Sequence, residues 1–329
     1  MTDKQKYSPD LDALTGEELS LLQKLSHSIR KFVAKSPEIS NTNYATRDAH
    51  ATTYSLLKGS FQVYEEFKGK SVFPDGKLDC IIRISHAHLK IISQKKTIPG
   101  YGFSVKIFDG EKTVANFPLV NFPLFPFINV SKFLKIFISI NNYFTGNLFQ
   151  KVSNSVGILK NIVGAVPNMM NFSFQKQVFK LLKNWHRFIL AFDYHSIGVY
   201  RMGDDLIKIK LVPINVTQKK QNQNIHLSIE DYLKKNIYEM DFCIQYCYNL
   251  KDQPVNALNK MWKKSEFVPV GNIQMTEILD SKSLENELLS FNPFDNIPEL
   301  QPVGRIQQLR NAAYSASFET RKNINLNKK

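Results

Sequence analysis

Cysteine is scarce in this chain of 329 residues, with only Cys80, Cys243 and Cys247 present. Three thiols make neither a disulfide framework nor a four-ligand zinc set, so a reducing compartment and buried free thiols are expected. Long apolar runs are missing too. Lys132, Lys135, Lys151 and Lys160 interrupt the best candidate for a membrane span. The opening Met1-Thr-Asp-Lys-Gln-Lys-Tyr7 is polar, and no apolar run of signal-peptide type follows it. A cytoplasmic protein that does not cross a membrane is the expectation. Carboxylates are absent from one long stretch: between Ser131 and Arg187 stand eight Lys or Arg and no Asp or Glu, among many Phe, Ile, Leu and Val.

That stretch carries much of a net charge of +14. A region both cationic and apolar suits an anionic lipid surface or a fatty-acid carboxylate better than a nucleic-acid duplex, so peripheral membrane contact is expected and nucleic acid is not. Amphipathic helices with solvated lysines give the same pattern, and the sequence leaves both readings open. What the chain does have is apolar residues at 43% and 24 Phe, enough for a large packed core.

Periodicity divides the chain into stretches. Gly16 to Val33 has helical spacing and is expected to end at Ser36-Pro37, so residues 1–40 read as a helical lead-in. From Tyr54 to Val120 the runs turn β-like (Gly59–Val63, Asp79–Ser85, Gly102–Phe108), separated by Pro74-Asp75-Gly76 and Asp109-Gly110. Helices are expected over about 130–190, and strands return at Ile197–Tyr200, Leu206–Val212, Phe242–Tyr246 and Val270–Met275. Helical segments are expected around Ile229–Tyr238 and Val255–Lys263, with a final helix from Pro302 to Asn323. Gln218–Gln223 reads as a loop and residues 326–329 as a polar tail. The whole predicts one α+β core over 41–325, an antiparallel β-barrel with surrounding helices.

The segment Arg310-Asn-Ala-Ala-Tyr314-Ser-Ala-Ser-Phe-Glu-Thr-Arg321 carries the first sign of chemistry. On a helix, Tyr314 shares a face with Arg310 and Arg321. A neighbouring guanidinium favours the phenolate, a hard anionic ligand for ferric iron. Taken alone, the segment reads first as a solvated basic helix with an interfacial tyrosine.

Three further islands change that balance: Arg47-Asp-Ala-His50, Arg83-Ile-Ser85, and Asn116-Phe-Pro-Leu-Val-Asn121-Phe-Pro-Leu-Phe-Pro-Phe127. With Tyr200-Arg-Met-Gly-Asp204, Gln253-Pro254 leading into Trp262, and Phe291-Asn-Pro-Phe294, the ordered set resembles the haem catalases, and most closely a reduced-length catalase-related protein. The resemblance covers most of residues 44–325. It implies haem b with ferric iron, held by Tyr314 as proximal ligand with Arg310 hydrogen-bonded to the phenolate. It implies His50 as distal acid and base, Ser85 supporting that ring, and Asn121 orienting peroxide. Arg47, Arg83 and Arg321 would pair with the haem propionates. His86 and His88 read as strand residues, not metal ligands.

The chain departs from the family in ways that bear on substrate. Ala49 precedes His50 where true catalases carry a bulkier branched residue, and Thr52-Thr53 replace the family's Lys-Gly. Fifteen residues follow Tyr314, so the family's wrapping segment, helical domain and nicotinamide-binding site are not expected, and a homo-oligomer stays open. Three functions follow from the resemblance. The first is cleavage of hydrogen peroxide or organic hydroperoxides. The second is rearrangement of fatty-acid hydroperoxides, similar to catalase-related allene oxide synthases, whose distinctive Thr precedes the histidine. The third, non-catalytic haem binding, fits the His50, Asn121 and Tyr314 set least.

Overall fold

The computed structural model describes residues 3–91, 98–127, 130–163, 166–218, 220–221, 224–280 and 287–327. Strands β1 (Thr53–Val63), β2 (Lys77–His86), β3 (Tyr101–Asp109) and β4 (Lys112–Val120) form an antiparallel meander. Beyond them come β5 (Tyr194–His195), β6 (Val199–Met202), β7 (Asp205–Ile214), β8 (Tyr238–Tyr246), β9 (Val268–Leu279) and β10 (Pro302–Val303). The pairing runs β1-β2-β3-β4-β5-β7-β8-β9 and returns to β1, closing an eight-stranded antiparallel barrel. β6 and β10 extend from one side of β7. Closure removes the unpaired edges that an open sheet would expose.

Two-residue alternation decides which side chains fill the barrel. Leu57, Ile82, Ile84, Phe103, Val105, Phe117 and Leu119 point inward and are buried. Phe61, Phe73, Phe117 and Phe242 pack ring against ring, with centroids 4.8 Å apart for Phe61–Phe73 and 5.5 Å for Phe117–Phe242. Much of the phenylalanine is thus spent on filling the interior. The outer face of β2, β3 and β4 carries a different set in register: Ser85, Gly102 and Val120 form one row, and Arg83, Ser104 and Pro118 the next.

A helical layer covers that outer face. It is built from α1 (Gly16–Ser40), α2 (Val130–Thr145) and the terminal helix (Arg305–Leu326), joined by Leu21, Leu25, Ile29, Val33, Val130, Leu134, Leu309 and Ala316. Helix α1 opens with a capping box, Thr15 accepting from Glu18 N–H while the Glu18 carboxylate accepts from Thr15 N–H. Glu18 also pairs with Arg305 at the start of the terminal helix, and Asp12 accepts from Gly304 N–H at 2.6 Å. Beyond α2 lie α3 (Leu148–Val163), α4 (Val166–Met169) and α5 (Phe172–Lys183), and α6 (Ile225–Leu233) precedes β8.

Several boundaries differ from expectation. Helix α1 runs past Pro37 to Ser40, because Ser36 Oγ donates to Val33 O at 2.7 Å, the carbonyl a proline nitrogen cannot serve. Val255–Lys263 forms turns instead of a helix; Trp262 Nε1 donates to Pro254 O at 3.0 Å and folds the segment on itself. The final helix starts at Arg305, since Pro302-Val303 pair with β6 and Gly304 adopts φ 107°. Leu326 still belongs to that helix. Gln218, Lys220 and Gln221 are non-helical and Lys220 bridges Arg187, while the rest of the expected Gln218–Gln223 loop and the end of the 326–329 tail lie outside the described residues. All three cysteines are free and buried, and among the described residues no helix is long and apolar enough to cross a membrane.

The Glu18 carboxylate serves a cap and an ion pair while its side chain is only 2% exposed. Glu18→Ala should therefore cost roughly 2–4 kcal/mol, read as a lower urea midpoint with unchanged slope. A loss below about 0.5 kcal/mol would show that the two helix starts are not joined there.

Candidate functional site

Between the barrel's outer wall and the helical layer lies a cavity of about 300 Å³. Ser104, Pro118 and Val120 line it from the barrel, Leu25 from α1, Phe133 and Phe137 from α2, and Ile306, Leu309 and Ala313 from the terminal helix. Its walls are mainly apolar, so its few polar side chains stand out: Arg47, Asp48, His50, Arg83, Arg310, Tyr314 and Arg321 all reach it. Three short stretches, far apart in sequence, supply them.

Tyr314 enters from the terminal helix. Its hydroxyl accepts from Arg310 Nη2 at 3.2 Å, one helical turn away. Arg310 Nη1 donates to Gln307 Oε1 at 2.9 Å, and Gln307 Nε2 donates to Val199 O at 3.2 Å, which anchors the chain of contacts to β6. A side chain at Gly198 would collide with Gln307, so the glycine makes room for this support. Burial pulls the Arg310 guanidinium down, yet the phenols of Tyr314 and Tyr200 more than offset it and raise its pKa. Tyr200 itself is pushed up to about 12 by burial and stays a neutral phenol.

His50 enters from the segment between α1 and β1. It sits at φ 55°, a left-handed conformation uncommon for a residue with a Cβ, and an element of local strain. Ser85 Oγ lies 3.1 Å from His50 Nδ1, and the His50 carbonyl accepts from Arg83 Nη2 at 2.6 Å. Gly102, beside Ser85 in the next strand, is the floor under the ring. A Cβ there would stand 2.5 Å from His50 Nδ1 and 2.6 Å from Ser85 Oγ. Burial, then the positive charge of Arg83, lowers the imidazole to about 3. It is therefore a neutral base at physiological pH.

The segment that carries Arg47 and His50 is tied down at its start. Asn325 accepts from Ala45 N–H at 2.7 Å and donates to Ala45 O at 3.1 Å, and Ser36 Oγ accepts from Thr46 N–H at 2.7 Å. Arg47 Nη1 then reaches Glu287 at 2.7 Å and Nη2 reaches Leu289 O at 2.8 Å. Arg83 donates to Thr53 Oγ1, and Arg321 donates to the Glu287 carbonyl. Arg47, Arg83 and Arg321 are all nearly buried, at 9%, 3% and 3% exposure. Burial and Arg47 lower Arg83 to about 9, and burial and Arg47 also push Arg321 down. Counting Arg310, four guanidinium groups face the carboxyls of Glu287 and Asp48, and burial raises the latter's pKa. Among the described residues these guanidiniums outnumber the carboxyls by two, and Arg321 Nε has no hydrogen-bond partner there.

Asn121 stands apart from this group. Its Oδ1 accepts from Tyr101 N–H at 2.8 Å and its Nδ2 donates to Pro99 O at 2.7 Å, so both ends of the amide hold backbone. It lines a smaller pocket beside His195 instead. Sequence reasoning passed over Asn116, which is fully buried with neither side-chain polar atom hydrogen-bonded among the described residues. It lies on the same face of β4 as Pro118 and Val120, which line the cavity. Alternation counted back from Pro118 would have found it. Gln307 was findable as well, one turn before Arg310; Glu287, whose neighbours give no pattern, was not. His86 closes β2 with its ring 6.3 Å from that of His88. Among the described residues no group of three or more His, Cys, Asp or Glu could hold a metal ion.

The donor set suits a particular kind of ligand. One arginine-backed phenol offers a hard oxygen ligand, three buried guanidiniums at the same cavity suit carboxylates, and the apolar walls suit a flat hydrophobic body. A haem with two propionates has all three properties. The site residues fit it.

No protein-family model and no curated protein matches the sequence. Solved structures do match. A fungal catalase aligns with a TM-score of 0.64 at 16% identity, over 99% of this chain and 67% of its own. Catalase A from Saccharomyces cerevisiae gives 0.63 at 16% identity, over 97% and 67%. A bacterial catalase gives 0.66 at 14% identity, over 97% and 66%. The fold is catalase-like, and the chain spans about two thirds of the length of the catalases it matches.

Two measurements check the distal side. In an NMR titration the His50 ring should not protonate between pH 8 and 5, because its midpoint is lowered to about 3; a midpoint near 6.5 would place the ring in solvent. Gly102→Ala should displace the ring and destabilise the fold by about 1–3 kcal/mol, whereas a free position would tolerate it.

Proposed function

We propose that this protein is a haem-dependent oxidoreductase that cleaves hydroperoxides. The observation that carries the reading is the conjunction in one apolar cavity of an arginine-backed phenol, a neutral imidazole and a surplus of buried guanidinium charge. Tyr314 would hold the iron, with Arg310 hydrogen-bonded to its phenol oxygen. Arg47, Arg83 and Arg321 would bind the propionates. When bound, haem supplies the two electrons that heterolytic O–O cleavage requires.

The protein's own part is proton transfer and positioning. Neutral His50 takes the proton from the near oxygen of the hydroperoxide and returns it to the far oxygen, which leaves as water or alcohol. Ser85 and Gly102 fix the ring for both transfers. Of the two asparagines, Asn116 has the unspent amide and is the better candidate to orient the peroxide. The apolar walls exclude water, which strengthens each of these contacts.

A second reading, rearrangement of fatty-acid hydroperoxides, is favoured by the aromatic run Phe125, Phe127, Phe133 and Phe137, whose rings meet edge-on or tilted in series at 4.9–5.8 Å beside the cavity. Rapid oxygen release from hydrogen peroxide supports the first reading, and consumption of a polyunsaturated hydroperoxide without oxygen release supports the second. Purified protein should show the absorption of high-spin ferric haem with anionic oxygen ligation. Tyr314→Phe should lose or badly weaken that binding, while His50→Ala should keep haem and lose about 100-fold or more in peroxide cleavage. An unchanged spectrum in the tyrosine variant would remove the proximal assignment.

A further inference from the structure

We propose that the outward face of α3 and α5 is a docking surface for an anionic lipid bilayer. Helix α3 is mounted the wrong way round for a soluble protein. An amphipathic helix ordinarily turns its apolar stripe to the core. Here Leu148, Phe149, Val152, Val156, Leu159 and Val163, spaced to share a face, are 61–82% exposed, and no residue of α3 is buried. Its inner side, toward α2, is the less apolar one: a Cβ at Gly157 would lie 3.5 Å from Ser139 Oγ, and Asn154, Ile158 and Asn161 are only partly exposed. The apolar stripe therefore points away from the protein.

Helix α5 repeats the pattern independently. Phe174 is its buried anchor, while Phe172 and Phe179 are 80% and 71% exposed. Lys176 and Lys183 stand at the same spacing on that exposed face. Lys160 on α3 is exposed as well, and no carboxylate occurs anywhere between Ser131 and Arg187 to repel an anionic surface. Exposed Phe, Leu and Val flanked by lysines with no carboxylate partner among the described residues match a headgroup layer over acyl chains. A second copy of the chain fits poorly, because it would bring two cationic faces together. Phe133 and Phe137 of α2, against which α3 packs, line the cavity, so a docked bilayer would lie one helix from the site. The proposal stands on the surface alone and does not require haem.

Vesicle co-sedimentation of the full chain tests it. Binding is expected to vesicles of phosphatidylcholine with about one third phosphatidylglycerol, much less to phosphatidylcholine alone, and to weaken as salt rises from about 0.1 to 1 M. Phe149→Ser with Val156→Ser, at exposed positions that leave the fold intact by circular dichroism, should weaken partitioning by about tenfold. Lys160→Glu with Lys176→Glu and Lys183→Glu should abolish the preference for anionic lipid. Equal binding to both vesicles, binding to neither, or self-association at micromolar concentration that the Phe149→Ser and Val156→Ser pair abolishes without vesicle binding would each overturn it.

Discussion

Burying Arg47, Arg83 and Arg321 against one cavity is the constraint on which the rest of this structure turns. Isolated buried charges cost several kcal/mol each, and like charges set side by side cost more. The fold meets that cost only in part, with the Glu287 carboxylate, the Leu289, Glu287 and His50 carbonyls and the Thr53 hydroxyl. Each arginine comes from a different piece of chain: the segment after α1, strand β2 and the terminal helix. Holding them together requires the helical layer to stay seated on the barrel, which explains the Glu18–Arg305 pair at one end of that layer and the Asn325–Ala45 pair at the other. A ligand with two carboxylates would finish what Glu287 begins.

The barrel's interior has no room for such a ligand. Phe61, Phe73, Phe117 and Phe242 fill it, and alternation along β2–β4 assigns the opposite face to chemistry. Ser85, Arg83 and Ser104 are functional candidates because each precedes or follows an inward apolar residue in register. The same register lays Gly102 beneath His50, so one backbone position without a Cβ fixes where an imidazole from a distant segment can rest.

Much of this was legible in the sequence. Turn residues and two-residue alternation announced the strands, and the spacing of Arg310, Tyr314 and Arg321 announced the helix face. What was hidden depended on side chains paired across long separations. Pro37 reads as a helix stop until Ser36 is seen to take the orphaned carbonyl. Asn121 and Asn116 look alike in a run of Asn, Pro and Phe, and only the backbone groups around Asn121 decide which amide is spent. The cationic stretch 131–187 leaves open both a lipid-facing surface and ordinary amphipathic helices; that α3 turns its apolar stripe outward is a matter of how it packs on α2, which no local pattern records.

The cation cluster and the imidazole are electrostatically one system. After burial, Arg83 contributes most to lowering His50, with Arg310 and Arg47 adding to it. Carboxylates at Arg47, Arg83 and Arg321 would cancel part of that field and make the imidazole a stronger base. Linkage requires the converse, that protonating His50 favours an anion at the arginines. Burial remains the largest cause of the imidazole's neutrality, and the arginine field is the part of it that an anion at this site would change.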